Sequence, residues 1–452
     1  METFRSFRSF DRPVQVALGN MLANNIGFFM LVPFLAGYMA NGLGLSLWVV
    51  GLVLGVRVLS QQGMSLFGGS LGDWIGYKQA IVAGSLLRTI AFALFGFADG
   101  PVGMAAGAIL TGLGGALLSP AVRAYISEAA GRRRVEAFAL LDVSMHGGSL
   151  LGPIVGSLLL GIDFRLVCFG ASIVFALVTY LQLQYLPPRQ FETSGSAGAM
   201  VRSWGEPLRN RPFVLFSLSI LGYLFLYNQI YLGLPLEVER LTGTSASVGV
   251  LFTILAVVGI LGQVPITVAA RERLRPPTAM AGGLLVMGLA FVPLLVTATA
   301  LPVAPQQVEA WLLSGDWPAP PVLVESLTYG VNFAPMALCC LILVGGQMLL
   351  SPFVSDAIAT LSRGRLVGTY FGIYAVVQGV GAALGNLAGG AAFDLGRSTG
   401  YGGVPWLLMI GVGVVCAAGL FALDRSGLLS APVAESERRP TEPSIAGAAA
   451  SR

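Results

Sequence analysis

A carboxylate and the chain's single histidine lie four residues apart in the stretch from Gly131 to Ser157, GRRRVEAFALLDVSMHGGSLLGPIVGS. Asp142 and His146 therefore share one face of a helix. Burial favours a neutral acid, whereas a neighbouring cation favours its ionised form. Such a pair suits reversible proton transfer, with Asp142 as the carrier and His146 as its partner; the competing reading is a satisfied structural pair. Little else has the makings of catalysis. One histidine makes a nucleophile–base set a poor prospect, and Cys168, Cys339, Cys340 and Cys416 fall inside apolar runs without metal-ligand or CxxC spacing. No phosphate-binding glycine loop is present, so neither an enzyme, a metal centre nor a cofactor is expected.

The helix that must carry this pair is one of many apolar ones. The 452 residues are 55% hydrophobic and 11% charged, against roughly 25% charged in soluble proteins. Apolar runs occur at roughly 14–40, 46–71, 79–98, 101–127, 137–160, 164–186, 212–236, 246–270, 277–300, 333–361, 366–393 and 402–424. An all-α integral membrane protein with twelve transmembrane helices is expected. The first run is too long for a signal-peptide core and is expected to remain as the first span. Basic residues gather in the loops of one side; the other side has only Arg165, Arg240 and Arg397. That asymmetry puts both termini in the cytoplasm. No clustered basic face on a soluble surface exists, which argues against nucleic acid as a partner.

A polar loop splits the spans six and six. The expected organisation is a six-helix bundle over 1–186, a cytoplasmic linker over 187–211, and a second bundle over 212–424. An outer loop over 301–331 carries Glu309, Asp316 and Glu325 with a short helix around Trp311, and the 425–452 tail is expected to be disordered. The halves repeat. Gly114-Gly115 followed by Ser119-Pro120 matches Gly345-Gly346 followed by Ser351-Pro352, and Gly148, Gly152 and Gly156 match Gly381, Gly385 and Gly389. Parallel duplicated halves with a site between them are one build of a membrane carrier.

Charges within spans cost roughly 2.5–3.5 kcal/mol each on the insertion scale and need a partner or a water-lined cavity. Arg57 and Arg88 sit near the middle of their spans, either to bind an anionic group or to hold helices together. Further inward-facing candidates are Asn24, Asn25, Tyr223, Tyr227, Gln229, Gln263, Gln347, Tyr374, Gln378 and Asn386. Tyr223, Tyr227 and Tyr231 form one stripe, which serves either packing or a ligand. Glu237 and Glu239, at the outer end of their span, read as solvated charges or proton acceptors.

Several motifs have a familiar form. GSLGDWIGYK, from Gly69 to Lys78, resembles the signature of the major facilitator superfamily, in the loop after the second span. The resemblance implies a cytoplasmic latch in which Asp73 accepts from free N–H groups at the start of the eleventh span, near Val367. Gly69, Asp73, Gly76, Lys78, Arg123, Glu128 and Asp356 would form that gate. Trp74 and Tyr77 stand where the family usually has arginine. Gly148, Gly152, Pro153 and Gly156 resemble the fifth-helix motif of the superfamily's proton-coupled drug exporters, a packing stripe of small residues. GLVLGVR from Gly51, then Asp163 to Cys168, then Phe393 to Gly396 resemble the MdtH-type drug:proton antiporter subgroup. The family's fourth-span arginine is replaced by Ala108, leaving Arg57 or Arg123 to take over.

The resemblance implies the major facilitator fold: two pseudo-twofold-related six-helix bundles, monomeric, in the lipid of a bacterial inner membrane. It implies export of amphipathic small molecules in exchange for protons. The alternative on the same fold is a carrier for one metabolite or lipid-like compound.

Overall fold

The computed structural model describes residues 7–130, 134–187, 205–299, 302–315, 317–362 and 367–427. The loop arginines 132 and 133 fall outside these residues. Of several helical residues only the backbone is described, Gly69, Asp73, Glu128 and Asp142 among them.

Among the described residues, twelve helical segments are long and apolar enough to cross a membrane. They are α1 (Arg12–Gly42), α2 (Leu47–Ile75), α3 (Tyr77–Phe97), α4 (Pro101–Ala129), α5 (Arg134–Leu160) and α6 (Phe164–Tyr185) in the first half. The second half has α7 (Arg211–Thr242), α8 (Ala246–Arg273), α9 (Pro276–Thr297), α10 (Pro321–Leu361), α11 (Val367–Thr399) and α12 (Val404–Arg425). No strand occurs among the described residues. In hydrocarbon every backbone polar group must be satisfied internally, and the helix achieves this within one segment. Side chains such as Phe97, Leu158, Ile173 and Val415, each about two-thirds exposed or more, cover the outside. An apolar exterior of this kind suits lipid.

Local chemistry sets the helix ends. Gly76 adopts φ +98° and separates α2 from α3, a conformation that a side chain strongly disfavours. The Asp163 carboxylate accepts from Arg165 N at 2.7 Å and starts α6. α7 breaks near Ile220, and α11 repairs the break. Gln378 Nε2 donates to Ile220 O at 3.1 Å, and its Oε1 accepts from Leu224 N at 3.3 Å. One turn-pair further on, Gln229 Nε2 donates back to Gly385 O at 3.0 Å.

Within each half the helices pack in the same pairs. α1 packs on α5 and α6, and α4 on α2 and α3; correspondingly α7 packs on α11 and α12, and α10 on α8 and α9. The equivalences reach individual residues. A Cβ on Gly148 would fall 2.3 Å from Asn25 Cβ, and one on Gly156 would fall 2.1 Å from Met30 O, so these residues allow α5 against α1. In the second half a Cβ on Gly381 would fall 2.4 Å from Leu221 O, and one on Gly385 2.5 Å from Phe225 O, so α11 meets α7 likewise. Gly84 with Gly114 and Gly283 with Gly346 form a second matched pair of crossings. The bundles meet along α2–α11 and α5–α8, contacts that a twofold operation interchanges.

α7 and α11 run on to Thr242 and Thr399, past the expected 236 and 393, and two further boundaries differ from the sequence reading. The Gly69–Asp73 segment lies in the last turns of α2, and the break comes only at Gly76. α10 starts at Pro321, about three turns before the expected position. Its first turns bury Val324 against Val308 and Leu312 of a short helix, Pro305–Ser314, which surrounds Trp311. Glu325, Ser326 and Asn332 on the other side of those turns gave them the polarity of a loop.

Candidate functional site

Odd-numbered spans begin on one face of the molecule, here termed the basic face after its arginines, and even-numbered spans begin on the opposite face. A cavity of about 430 Å³ lies between the two bundles. Its walls come from the middle and basic-face portions of α1, α2, α4, α5, α7, α8 and α10, with Arg88 entering from α3.

Of the residues singled out from sequence, Asn25, Arg57, Arg88, His146, Tyr227, Gln263 and Gln347 line this cavity. Gln61, Gln62, Ser119, Ser149, Asn228 and Tyr231 join them. Phe28 is the residue that sequence reading passed over. Only its spacing, one helical turn beyond Asn24, marked it as inward-facing.

Phe28 organises the two arginines. The Arg57 guanidinium carbon lies 5.6 Å from the Phe28 ring centroid and 5.5 Å from that of Tyr231. The Arg88 carbon lies 5.1 Å from the same Phe28 centroid and 5.9 Å from that of Phe175. Ring faces attract a cation most where water is excluded. Arg88 Nη1 also donates to Asn24 Oδ1. Gly115 leaves room for these heads: a Cβ there would fall 2.9 Å from Arg88 Nη2 and 3.0 Å from Gln61 Cδ. Hence the glycine pair in α4 has divided roles, Gly114 against α3 and Gly115 beneath the arginine.

The other half of the expected polar set is placed elsewhere. Asn24, Tyr223, Gln229, Tyr374, Gln378 and Asn386 lie outside this lining. Asn24 holds Arg88, while Gln229 and Gln378 satisfy the α7 backbone as described above. Tyr223 packs on Tyr227, with ring centroids 6.1 Å apart, and Tyr374 packs against the same second-half core. Asn386 is fully buried where α11 crosses Gly51 of α2. His146 opens onto the cavity, four residues along α5 from Asp142, whose side chain lies outside the described residues.

On the opposite face the bundles are in close contact. The Asp394 carboxylate, at the end of α11, accepts from Leu47 N at 3.0 Å and from Trp48 N at 2.7 Å, which are free donors at the start of α2. A Cβ on Gly51 would fall 2.2 Å from Asn386 O, and one on Gly390 2.1 Å from Leu47 O. Asn41 Nδ2 donates to Glu239 Oε2 at 3.0 Å across the same seam. Glu237 is 5% exposed and accepts from Arg240 Nη2 at 2.7 Å, so it is an ion-paired acid rather than the solvated charge its position suggested. Phe252 packs between Phe29 and Tyr231 at ring distances of 6.2 and 5.8 Å, roofing the cavity.

On the basic face Lys78 Nζ donates to Leu183 O at 2.9 Å, which ties α3 to α6. Arg123 and Asp356 are exposed. The expected latch of Gly69, Asp73 and Glu128 with the start of α11 rests on side chains outside the described residues. Among the described residues no group of His, Cys, Asp or Glu is arranged to hold a metal ion.

Residues 17–385 match the family model of the Major Facilitator Superfamily. An uncharacterized MFS-type transporter of Mycobacterium tuberculosis is 37% identical over 92% of this chain and 94% of its own length. Multidrug resistance protein MdtH of Klebsiella pneumoniae is 30% identical over 86% of this chain and 89% of its own. Among solved structures, that of the nucleoside transporter NupG superposes with a TM-score of 0.72 at 13% identity, covering 90% of this chain and 99% of the other. The structure of a peptide transporter POT in complex with alafosfalin gives 0.70 at 16% identity, covering 94% and 99%.

Proposed function

The chain belongs to the major facilitator superfamily, and we propose that it is a multidrug exporter that trades amphipathic small molecules for protons across a bacterial inner membrane. With the basic face in the cytoplasm, the close contacts on the opposite face support reading this conformation as inward-facing. Substrate enters the cavity from the cytoplasm or inner leaflet. The Asp394 cap, the Gly51 and Gly390 crossings and the Phe252 roof must then part while the basic face closes. For halves duplicated in parallel the twofold axis runs along the membrane normal, so α2–α11 and α5–α8 are equivalent seams on the same face and must part together.

The observation that carries this reading is the cavity itself. It lies between duplicated bundles, is closed by contacts on one face, and draws its polar groups from the middle and basic-face portions of the spans. The 30% identity to an MdtH protein supports export of drugs over uptake of one nutrient. Asp142 carries the proton, and His146, on the cavity wall, is its partner. Protonation changes the cost of moving this acid between a wet and a dry surrounding, which biases one conformation against the other.

Reconstitution tests the proposal. Vesicles holding the protein and an internal pH dye are given an inside-acid gradient, then a panel of amphipathic compounds. Compound-induced proton release, shared across unrelated compounds, is the expected result. Response to a single compound would favour a dedicated carrier, and no proton movement would end the exchange reading.

A further inference from the structure

The cavity's charges point to the chemistry of its occupant. Arg57 is 3% exposed and Arg88 6% exposed, and no carboxylate among the described residues lies against either. The Nε atoms of both lack any hydrogen-bond partner. Both guanidiniums lie over the one Phe28 ring, so two like charges are near neighbours while each is largely buried. Among its described lining residues the cavity has Arg57, Arg88 and His146 and no acid. The lining also includes an apolar group of Phe29, Ile230, Phe252, Leu255 and Met348.

We propose that the cavity takes amphiphiles bearing an anionic head, a carboxylate or a phosphoryl or sulfonyl group, clamped between Arg57 and Arg88 with its aromatic or aliphatic body against this apolar group. A planar guanidinium presents several donors in a fixed fork that matches these oxyanions. Asn24 and the rings of Phe28, Tyr231 and Phe175 fix the heads of the two arginines without neutralising them. An anion set between them offsets the mutual repulsion of the two guanidiniums. The volume of about 430 Å³ falls in the range of small-molecule sites. This inference rests on the transport reading only in taking the cavity as the substrate site.

Isothermal titration of the full-length protein in detergent separates the possibilities. Three probes share one ring system: naphthalene-2-carboxylate, 2-naphthyl phosphate and 2-naphthyl-trimethylammonium. The two anions are expected to bind at least ~10-fold tighter than the cation. Arg88→Gln and Arg57→Gln should each remove at least ~10-fold of the anion affinity and leave that of the cation level or raised. Thermal unfolding is followed alongside. If a glutamine variant fails to fold, Arg88→Lys and Arg57→Lys take its place; they keep the charge, lose the fork and should still weaken both anions.

Equal binding of cation and anions, binding of none of the three, or unchanged anion affinity in the variants would overturn the proposal. Anion-selective binding without proton-linked flux would overturn the exchange reading instead. Proton-linked flux of cations alone would overturn the clamp and leave the exporter standing.

Discussion

Replacing Gly390 with leucine is expected to leave both bundles folded and to abolish transport. Gly390 lies on α11 where it crosses the start of α2, and a Cβ there would fall 2.1 Å from Leu47 O. That oxygen is backbone and has no rotamer to yield. The clash lies between bundles, so it is relieved when the opposite face parts, and the variant should be held in the outward-open state. Gly156→Leu provides the contrast. Its Cβ would also fall 2.1 Å from a backbone oxygen, that of Met30, but this crossing of α5 and α1 lies within one bundle and has no open state. Overpacking there costs about 1–3 kcal/mol or more. Gly156→Leu should therefore lower the yield and unfolding temperature, whereas Gly390→Leu should keep both and lose transport by at least ~10-fold in proteoliposomes. Normal transport by Gly390→Leu would show that the cycle does not require the α2–α11 seam to close this tightly.

The second large effect concerns the proton. Asp142→Asn keeps the size of the side chain and removes its ability to ionise. Compound-induced proton release should fall to background, while exchange of labelled for unlabelled compound at equal pH persists. That division follows if the acid sets which state is favoured without holding the substrate. His146→Gln should shift the pH at which export is half-maximal and retain part of the coupling. Undiminished proton release by Asp142→Asn would remove Asp142 from the mechanism and leave the cavity and the rocking motion as they are.

Much of the fold was legible because lipid allows so few solutions. Twelve apolar runs gave twelve spans, since a segment in hydrocarbon must satisfy its own backbone. The glycines at 148, 152, 156 and at 381, 385, 389 announced the repeat, and the structure puts both sets at equivalent crossings. Helix ends were less legible. The first turns of α10 leave the apolar run and bury only every fourth side chain, Val324 and Thr328, which reads as a loop.

Side-chain direction was the least legible property. In a soluble helix, polarity marks the outward face; in a span, lipid and neighbouring helices are equally apolar. Gln347 lines the cavity, whereas Gln378, equally alone in an apolar run, repairs a break in α7. Nothing local to either residue distinguishes them, because the break lies on another helix. The arginines stood out through their cost in the bilayer. Their shared ring, Phe28, looked like any other apolar residue.

The pivoting of two bundles about the cavity is tested most directly by the distance across the opposite face. Spin labels on cysteines introduced at Ile162, between α5 and α6, and at Thr244, between α7 and α8, report it; three of the four native cysteines are buried. In lipid nanodiscs the expected distribution has a short component, which matches the closed face described above, and a longer one. The longer component should grow on acidification or on adding transported compound, and should dominate in Asp394→Ala, which removes the cap on α2. A single short distance that neither pH, compound nor loss of the Asp394 cap changes would contradict alternating access in this protein.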